Sequence, residues 1–474
     1  MHTYSVSRRS FLKRASAASA FAAFPSLRTS AQSGVSAANE RVNVACCGIG
    51  NRGADVVNGL AATGLCNIVA LCDTDMGAKH TQSLLKKYPD VPRFQDFRQM
   101  LDKMGNQIDA VTAGVPDFSH FPIAMMAMGL GKHIYVEKPM AHTFQEIDLM
   151  MQAEKKHRVA AQMGNQGHSD GNYFQFKAWT EAGIIKNVSK IVAHMNGKRR
   201  WHKWNGKVAG LPAAQPLPAT LDWDTWLSQV PFHDYNKDYM NGDWRCWYDF
   251  GNGALGDWGA HILDTAHEFL KLGLPTSIRA VKLEGHNPYV FPMASTLSFQ
   301  FAARGDGLPA CEVLWYDGTA NFPELPKGFG KAVATEGVPP PGGGATAAAD
   351  KLSPGKEIYS DELTFKGGSH GSTLSIIPEE RAKDMAAKLP AVPKSPSNHF
   401  KNFLLACKGQ EICRSRFEVA GPLSQVLALG VIAQRLNTRL DFDPATRQIT
   451  NDKVAHALLA GPPPRKGWEQ YYKV

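Results

Sequence analysis

The chain predicts an α/β fold, a doubly wound parallel sheet followed by a second, α+β domain with antiparallel strands. Two patterns carry this reading. Between about residues 42 and 165, short apolar runs alternate with helical stretches, the signature of parallel strands joined by crossover helices. Further on, Leu297 to Ala302 and Cys311 to Tyr316 alternate apolar and polar residues, as strands with one covered face do. The 474 residues, 43% hydrophobic and 20% charged, suffice for two cores.

The first strand is Val42-Asn43-Val44-Ala45-Cys46-Cys47. It runs into Gly48-Ile49-Gly50-Asn51-Arg52-Gly53, a G-x-G-x-x-G, and a helical pattern follows through Leu60. A second apolar run, Ile68 to Cys72, ends at Asp73, which lies 20 residues past the last motif glycine. Strand, glycine turn, helix, strand and acid in this order predict a Rossmann dinucleotide site. The glycines permit a tight turn and close approach of a pyrophosphate, and the helix N-terminus supplies amide donors. A carboxylate at Asp73 accepts from ribose hydroxyls and repels a 2′-phosphate, so NAD is expected over NADP. The pattern continues with a strand at Ile108–Ala113, a loop at Gly114–His120, and a helix through Met128. A strand at His133–Val136, a helix at Thr143–His157 and a strand at Val159–Met163, ending at Gly164-Asn165-Gln166, complete it.

Two places carry chemistry. Glu137-Lys138-Pro139 closes the His133–Val136 strand and sets a lysine at the sheet edge where ligands bind. A desolvated lysine there is suited to proton transfer. Further on, Gly251-Asn252-Gly253-Ala254-Leu255-Gly256 opens a helix that carries Asp257 and His261. Spaced i, i+4, the two share one face, so the carboxylate is placed to orient the imidazole and fix its tautomer. The competing reading is a capping aspartate and a structural histidine. Trp201 to Tyr239 is rich in aromatics and proline and reads as a long loop over a site. Ala332 to Asp350 is of low complexity. His399–Cys407 and Leu423–Leu436 read as helices.

The N-terminus reads as a targeting segment. Ser7-Arg8-Arg9-Ser10-Phe11-Leu12-Lys13 is a twin-arginine signal, an alanine-rich stretch runs from Ala15 to Phe24, and small residues at Thr29–Ala31 offer a cleavage site. Residues 1–31 are assigned to this signal and 32–40 to a linker, with export to the periplasm as the expectation. Arg8, Arg9, Lys13, Arg14 and Arg28 contribute five charges to the net +9, leaving about +4 for the remainder. The pI near 9.0 is therefore poor evidence for nucleic-acid binding. The eight cysteines form no C-x-x-C and their apolar neighbours point to buried thiols, so no metal is expected.

With the glycine turn at Gly48–Gly53, Glu137-Lys138-Pro139 and Asp257-x-x-x-His261, the chain from Arg41 onward resembles the Gfo/Idh/MocA oxidoreductases. Pro116-Asp117-x-x-His120 and Pro464-Arg465-Lys466-Gly467-Trp468 are similar to that family's exported bacterial branch. The resemblance implies an NAD domain over 41–165. Over 166–474 it implies a substrate and oligomerisation domain built on a large open, mostly antiparallel sheet. It implies that Lys138 and His261 contact a reacting hydroxyl with Asp257 in support. Gly48, Gly50, Asn51, Arg52, Gly53, Asp73, Pro116, His120, Glu137, Lys138 and Asn165 are the expected NAD contacts. Trp244, Trp247 and Trp258 are candidates for stacking on sugar faces, with plain core packing as the alternative, and Arg245 for a polar substituent. The Lys138–Pro139 bond is expected to be cis. The function implied is NAD-dependent oxidation of a hydroxyl on a sugar, glycoside or polyol, in a homo-oligomer, with tightly held cofactor. An NAD-dependent glycoside hydrolase and a catalytically silent sugar-binding protein are the alternatives.

Overall fold

The first-half apolar runs assemble side by side because each is covered on both faces, the arrangement that parallel strands require. The computed structural model describes residues 41–197, 208–305, 307–329 and 352–474. The signal at 1–31, the linker at 32–40, residues 201–207 and the Ala332–Asp350 loop lie outside them. Six strands form the first sheet: β1 (Val42–Cys47), β2 (Cys66–Cys72), β3 (Arg93–Phe94), β4 (Ala110–Ala113), β5 (His133–Val136) and β6 (Ala161–Met163). Their order is β3-β2-β1-β4-β5-β6, all parallel. The winding reverses between β1 and β4, so the turns that follow these two strands splay apart into a crevice. The connecting helices are α1 (Arg52–Ala62), α2 (Gln82–Lys87), α3 (Phe97–Met104), α4 (His120–Gly129) and α5 (Phe144–His157). Thr143 and Glu146 form a reciprocal capping box at the start of α5.

After α6 (Gly171–Glu181) the chain enters a nine-stranded sheet of order β13-β12-β11-β7-β10-β9-β8-β14-β15. These strands are β7 (Lys190–Met195), β8 (Ser277–Glu284), β9 (Ala294–Phe301), β10 (Cys311–Asp317), β11 (Gly355–Tyr359), β12 (Thr364–Gly368), β13 (Leu374–Ile377), β14 (Arg439–Asp443) and β15 (Gln448–Ile449). The β7–β10 pair is parallel and the others are antiparallel, so the sheet is mixed and mostly antiparallel. Between β7 and β8 lie the short α7 (Trp223–Leu227) and the long α8 (Gly253–Phe269). Later come α9 (Glu379–Met385), α10 (His399–Cys407), α11 (Phe417–Leu436) and α12 (Lys453–Leu458).

Ile191, Ala193, Leu297, Phe299, Val313 and Trp315 point into one core with residues of α8 and α11. A Cβ on Gly430 of α11 would lie 2.5 Å from Leu255 of α8. The two helices therefore approach closely, and α8 is clamped between α11 and the sheet. Helix α11 starts at Phe417, earlier than its apolar pattern suggests, because Pro422 sits early enough to displace little of its hydrogen-bond ladder. It is long and apolar but mostly buried within the protein. A late helix returns to the first sheet. Phe403, Leu404 and Cys407 of α10 pack with Val44, Cys46 and Leu71 beneath the first sheet. All eight cysteines are buried and none forms a disulfide.

Candidate active site

The glycine turn is shaped by what lies opposite it. Gly48 has φ +76°, and a Cβ there would fall 2.4 Å from the Gly114 carbonyl oxygen on the turn after β4. A Cβ on Gly53 would fall 2.1 Å from the Gly48 oxygen. Neither position tolerates a side chain, and the N-terminus of α1 lies at the crevice floor. Asp73 is fixed at the tip of β2. Its carboxylate accepts the Ile49 N–H at 3.0 Å and the Asp75 N–H at 3.1 Å, and burial raises its pKa. Arg52, on the first turn of α1, donates through Nε to Glu137 at 2.9 Å, while its buried Nη2 has no protein partner. An unsatisfied guanidinium donor at a helix N-terminus fits a diphosphate. These residues line one cleft of about 730 Å³ that runs on to Lys138, Asp257 and His261. The residues present fit NAD.

The far end of the cleft is assembled from several segments. Asn252, just before α8, donates its backbone N–H to Asp117 at 3.1 Å and its side-chain amide to the Ala141 oxygen at 3.1 Å. These bonds tie the start of α8 to the loops after β4 and β5. The Lys138–Pro139 peptide there is cis. Lys138 Nζ donates to the Asp257 carboxylate at 2.5 Å and to the Asp257 carbonyl at 2.8 Å. An ammonium against a buried carboxylate is held charged. Lys138 is therefore held in the cleft as a hydrogen-bond donor beside the Asp257 carboxylate.

Asp257, expected to orient His261, has its carboxylate engaged by Lys138, with Arg245 Nε at 3.8 Å. The orienting partner is Asn165, whose Oδ1 lies 3.0 Å from His261 Nδ1. Asn165 Nδ2 donates to the Ala260 carbonyl at 2.9 Å, which turns Oδ1 toward the ring. An amide oxygen only accepts, so Nδ1 carries the proton and Nε2 is left as the basic nitrogen. Asn165 was read as a cofactor contact, but its amide is spent on α8. The i, i+4 signal placed both residues on one face, and the direction of each side chain was set by partners remote in sequence.

His120 is also placed differently. It is 1% exposed, with Nδ1 2.9 Å from the Pro139 oxygen and Nε2 3.0 Å from the Val115 oxygen. Burial pushes its pKa down to about 4. As a neutral ring it donates to only one of these carbonyls and packs against the other, between the two crevice loops and outside the cleft lining. Pro116, Gly50 and Asn51 line the cleft; Gly53 lies behind the turn. Arg245 stacks on Trp244 at 4.1 Å, and both line the cleft with Trp258. Trp247 is core.

The sequence reading missed His370 and gave Asp117 no role beyond its motif. His370, in the loop between β12 and β13, lines the cleft and stacks on His261 with centroids 3.9 Å apart and planes 20° from parallel. Asp117 is buried beside Arg245 and Lys138, and burial outweighs their attraction to lift its pKa to about 6. Beneath the site, His168 lies between Asp264 at 2.5 Å and Glu268 at 2.7 Å, both on α8. Burial opposes its charge, but the two carboxylates raise its pKa to about 10. Burial also raises Asp264, yet two acids on one ring leave the proton with His168. The segment that carries Asn165 thus pins α8 twice. Among the described residues, no cluster of three or more His, Cys, Asp or Glu is placed to hold a metal ion.

Comparison with known proteins agrees with the fold and with a nucleotide-binding first domain. Residues 42–165 match the NAD-binding Rossmann domain of the Gfo/Idh/MocA oxidoreductases, and residues 175–286 match the C-terminal α/β domain of the same family. A glycosyl hydrolase family 109 protein 2 of Shewanella sp. (strain ANA-3) is 32% identical over 134 residues, 27% of this chain and 29% of that protein. An inositol 2-dehydrogenase of Salmonella typhimurium (strain LT2) is 29% identical over 142 residues, 29% of this chain and 41% of that protein. The matched region thus spans less than half of these relatives. Among solved structures, the WlbA dehydrogenase from Chromobacterium violaceum, in complex with NADH and UDP-GlcNAcA, superposes with a TM-score of 0.55 at 13% identity, over 85% of this chain and 97% of that one. An aldose-aldose oxidoreductase from Caulobacter crescentus, complexed with glycerol, gives a TM-score of 0.52 at 14% identity, over 85% of this chain and 100% of that one. At these identities the likeness is one of fold.

Proposed function

We propose, from the premise that this chain belongs to the Gfo/Idh/MocA family of NAD-binding oxidoreductases, that it oxidises a hydroxyl-bearing carbon of a sugar, glycoside or polyol. The observation that carries this reading is the meeting of a charged Lys138 and an oriented His261 in the cleft that the glycine turn and Asp73 also line. NAD, when bound, supplies the acceptor for the two electrons and hydrogen of the C–H bond. His261 Nε2 takes the hydroxyl proton, because Asn165 holds the other ring nitrogen as a donor. Lys138 donates to the same oxygen as negative charge develops, a contribution of roughly 10²–10³-fold. Asp257 keeps Lys138 charged and aimed. Arg245, Trp244 and Trp258 contact the sugar. The carbonyl product retains the oxygen, the proton rests on His261, and the balance is complete.

Export by the twin-arginine route at Arg8 and Arg9 belongs to the same proposal. An enzyme outside a soluble nicotinamide pool needs a resident cofactor and a redox-neutral cycle, in which a second sugar or the same one returns the hydride. Assembly as a homo-oligomer is part of the reading. A second reading, in which transient oxidation is followed by elimination of a glycosidic bond, draws support from the glycosyl hydrolase relatives. The test is a panel of free sugars and glycosides mixed with purified protein, recording both nicotinamide absorbance and released sugar. Absorbance change without release supports the oxidoreductase, and release at no net absorbance change supports the hydrolase. Binding with neither, and with no conversion of one sugar into another, leaves a silent sugar-binding protein.

A further inference from the structure

We propose that residues 218–228, locked in place by Arg465 of the C-terminal tail, form the outer wall of the dinucleotide site at its Asp73 end and retain NAD between turnovers. This rests on the NAD reading above and deepens it. The segment belongs to neither sheet, yet it is stitched to the loop after β2. Asp222 donates its N–H to the Thr74 oxygen at 2.8 Å. Thr220 Oγ1 donates to Asp75 at 2.7 Å, and Leu221 makes a backbone bridge with Asp75. Gln95 Nε2 donates to both the Thr74 and Thr220 oxygens, at 2.9 and 2.8 Å. A Cβ on Gly77 would lie 2.4 Å from Thr220 Cγ2, so loop and segment are in close contact.

From this anchor, α7 turns inward. Asp222 caps it at the Thr225 N–H, and Thr225, Trp226 and Ser228 line the cleft. Trp226 packs edge-on against Phe118 and Phe250, at 5.2 and 5.3 Å. Arg465 then closes the far end of the helix. It donates to the Ser228 oxygen through Nε at 2.9 Å and Nη2 at 2.6 Å, and to Asp224 Oδ1 at 2.5 Å. Trp468, 2% exposed, fixes the tail between Phe97 and the Arg98 guanidinium of α3. The wall therefore spans from the β2 loop to the outer helices of the NAD domain. A nucleotide held behind it leaves only when these bonds break.

The test loads the full chain with adenine-labelled NAD, removes free nucleotide, and chases with unlabelled NAD. The wild-type protein is expected to keep its label for far longer than the experiment's mixing time. Arg465→Ala should release it about tenfold faster and Thr220→Ala about threefold faster, from the bonds each removes. Glu362→Gln, on the remote surface pair with Lys186, should leave release unchanged. Thr220 is exposed, so its variant carries the test if Arg465→Ala fails to fold. Release from both variants at the wild-type rate would overturn the wall. A wild-type chain that takes up no label and yields no nucleotide on denaturation would instead overturn the NAD reading itself.

Discussion

At the Asp73 end of the cleft, the floor comes from one continuous stretch of chain, Val42 to Asp73, whose shape is set mainly by backbone, with the Asp73 carboxylate and the Gly114 turn closing it. At the His261 end, the working groups come from the loop after β5, the segment after β6, the first turns of α8 and the loop after β12, and each is aimed by a partner from another segment. A site made by local backbone geometry survives the loss of single side chains. A site made by convergence fails when one support is removed.

The largest effects should therefore fall on the convergent end. His261→Ala and Lys138→Ala are each expected to slow reduction of bound NAD by about 10²–10⁴-fold in single-turnover measurements. Label retention should be unchanged for His261→Ala. Asn165→Ala should lower the rate without moving the Michaelis constant, because it frees the tautomer and not the substrate; a change confined to the Michaelis constant would contradict that assignment.

The next effect is on stability. His168→Gln leaves Asp264 and Glu268 facing each other without a cation, at a cost of about 3–5 kcal/mol in urea unfolding. The sign of its pH dependence is set by the raised value. His168 titrates near 10 in the folded protein against an ordinary 6.5. Its stabilisation is complete below about pH 6.5 and declines as pH rises through 10. His168→Gln should flatten that decline, and equal slopes for both proteins would remove the charge assignment.

Smaller effects are expected where backbone does most of the work. Asp73→Ala should weaken NAD by about 1–2 kcal/mol and narrow its preference over NADP, read from titrations with both nucleotides. Asp117→Asn should act on stability, and in the opposite direction. The folded carboxylate titrates near 6 against an ordinary 3.8, so its burial penalty is absent below 3.8 and full above 6. The variant should gain about 1–2 kcal/mol at pH 8 and nothing at pH 4. A gain at both would mean that the effect is not electrostatic.

The same contrast explains what the residues revealed in advance. The β1–α1–β2 unit, the alternation of parallel strands with helices, Lys138 at a strand end and His261 on a helix face were legible because each depends on local periodicity or on a fixed glycine spacing. Asn165 and Asp257 were visible as residues but not in their roles, since nothing in an i, i+4 spacing says which of two neighbours turns toward Lys138. His370 gave no signal at all, and Thr225 none beyond the reading of Trp201–Tyr239 as a loop over a site. They reach the cleft from a β-turn and a short irregular helix, where placement follows from tertiary packing. His120 misled for the opposite reason: a histidine near a ligand loop looks functional until both of its nitrogens are found against backbone carbonyls.

The most direct test of the central claim mixes nucleotide-free sugar solutions with protein purified without added cofactor and follows the near-ultraviolet absorbance of reduced nicotinamide. The proposed mechanism predicts that at least one sugar drives a rise that stops at one equivalent per chain, with no NADH released, and that His261→Ala slows that rise by about 10²-fold or more. Continuous production of free NADH would contradict a resident cofactor, and an equally fast rise in His261→Ala would contradict the proton-transfer role on which the mechanism stands.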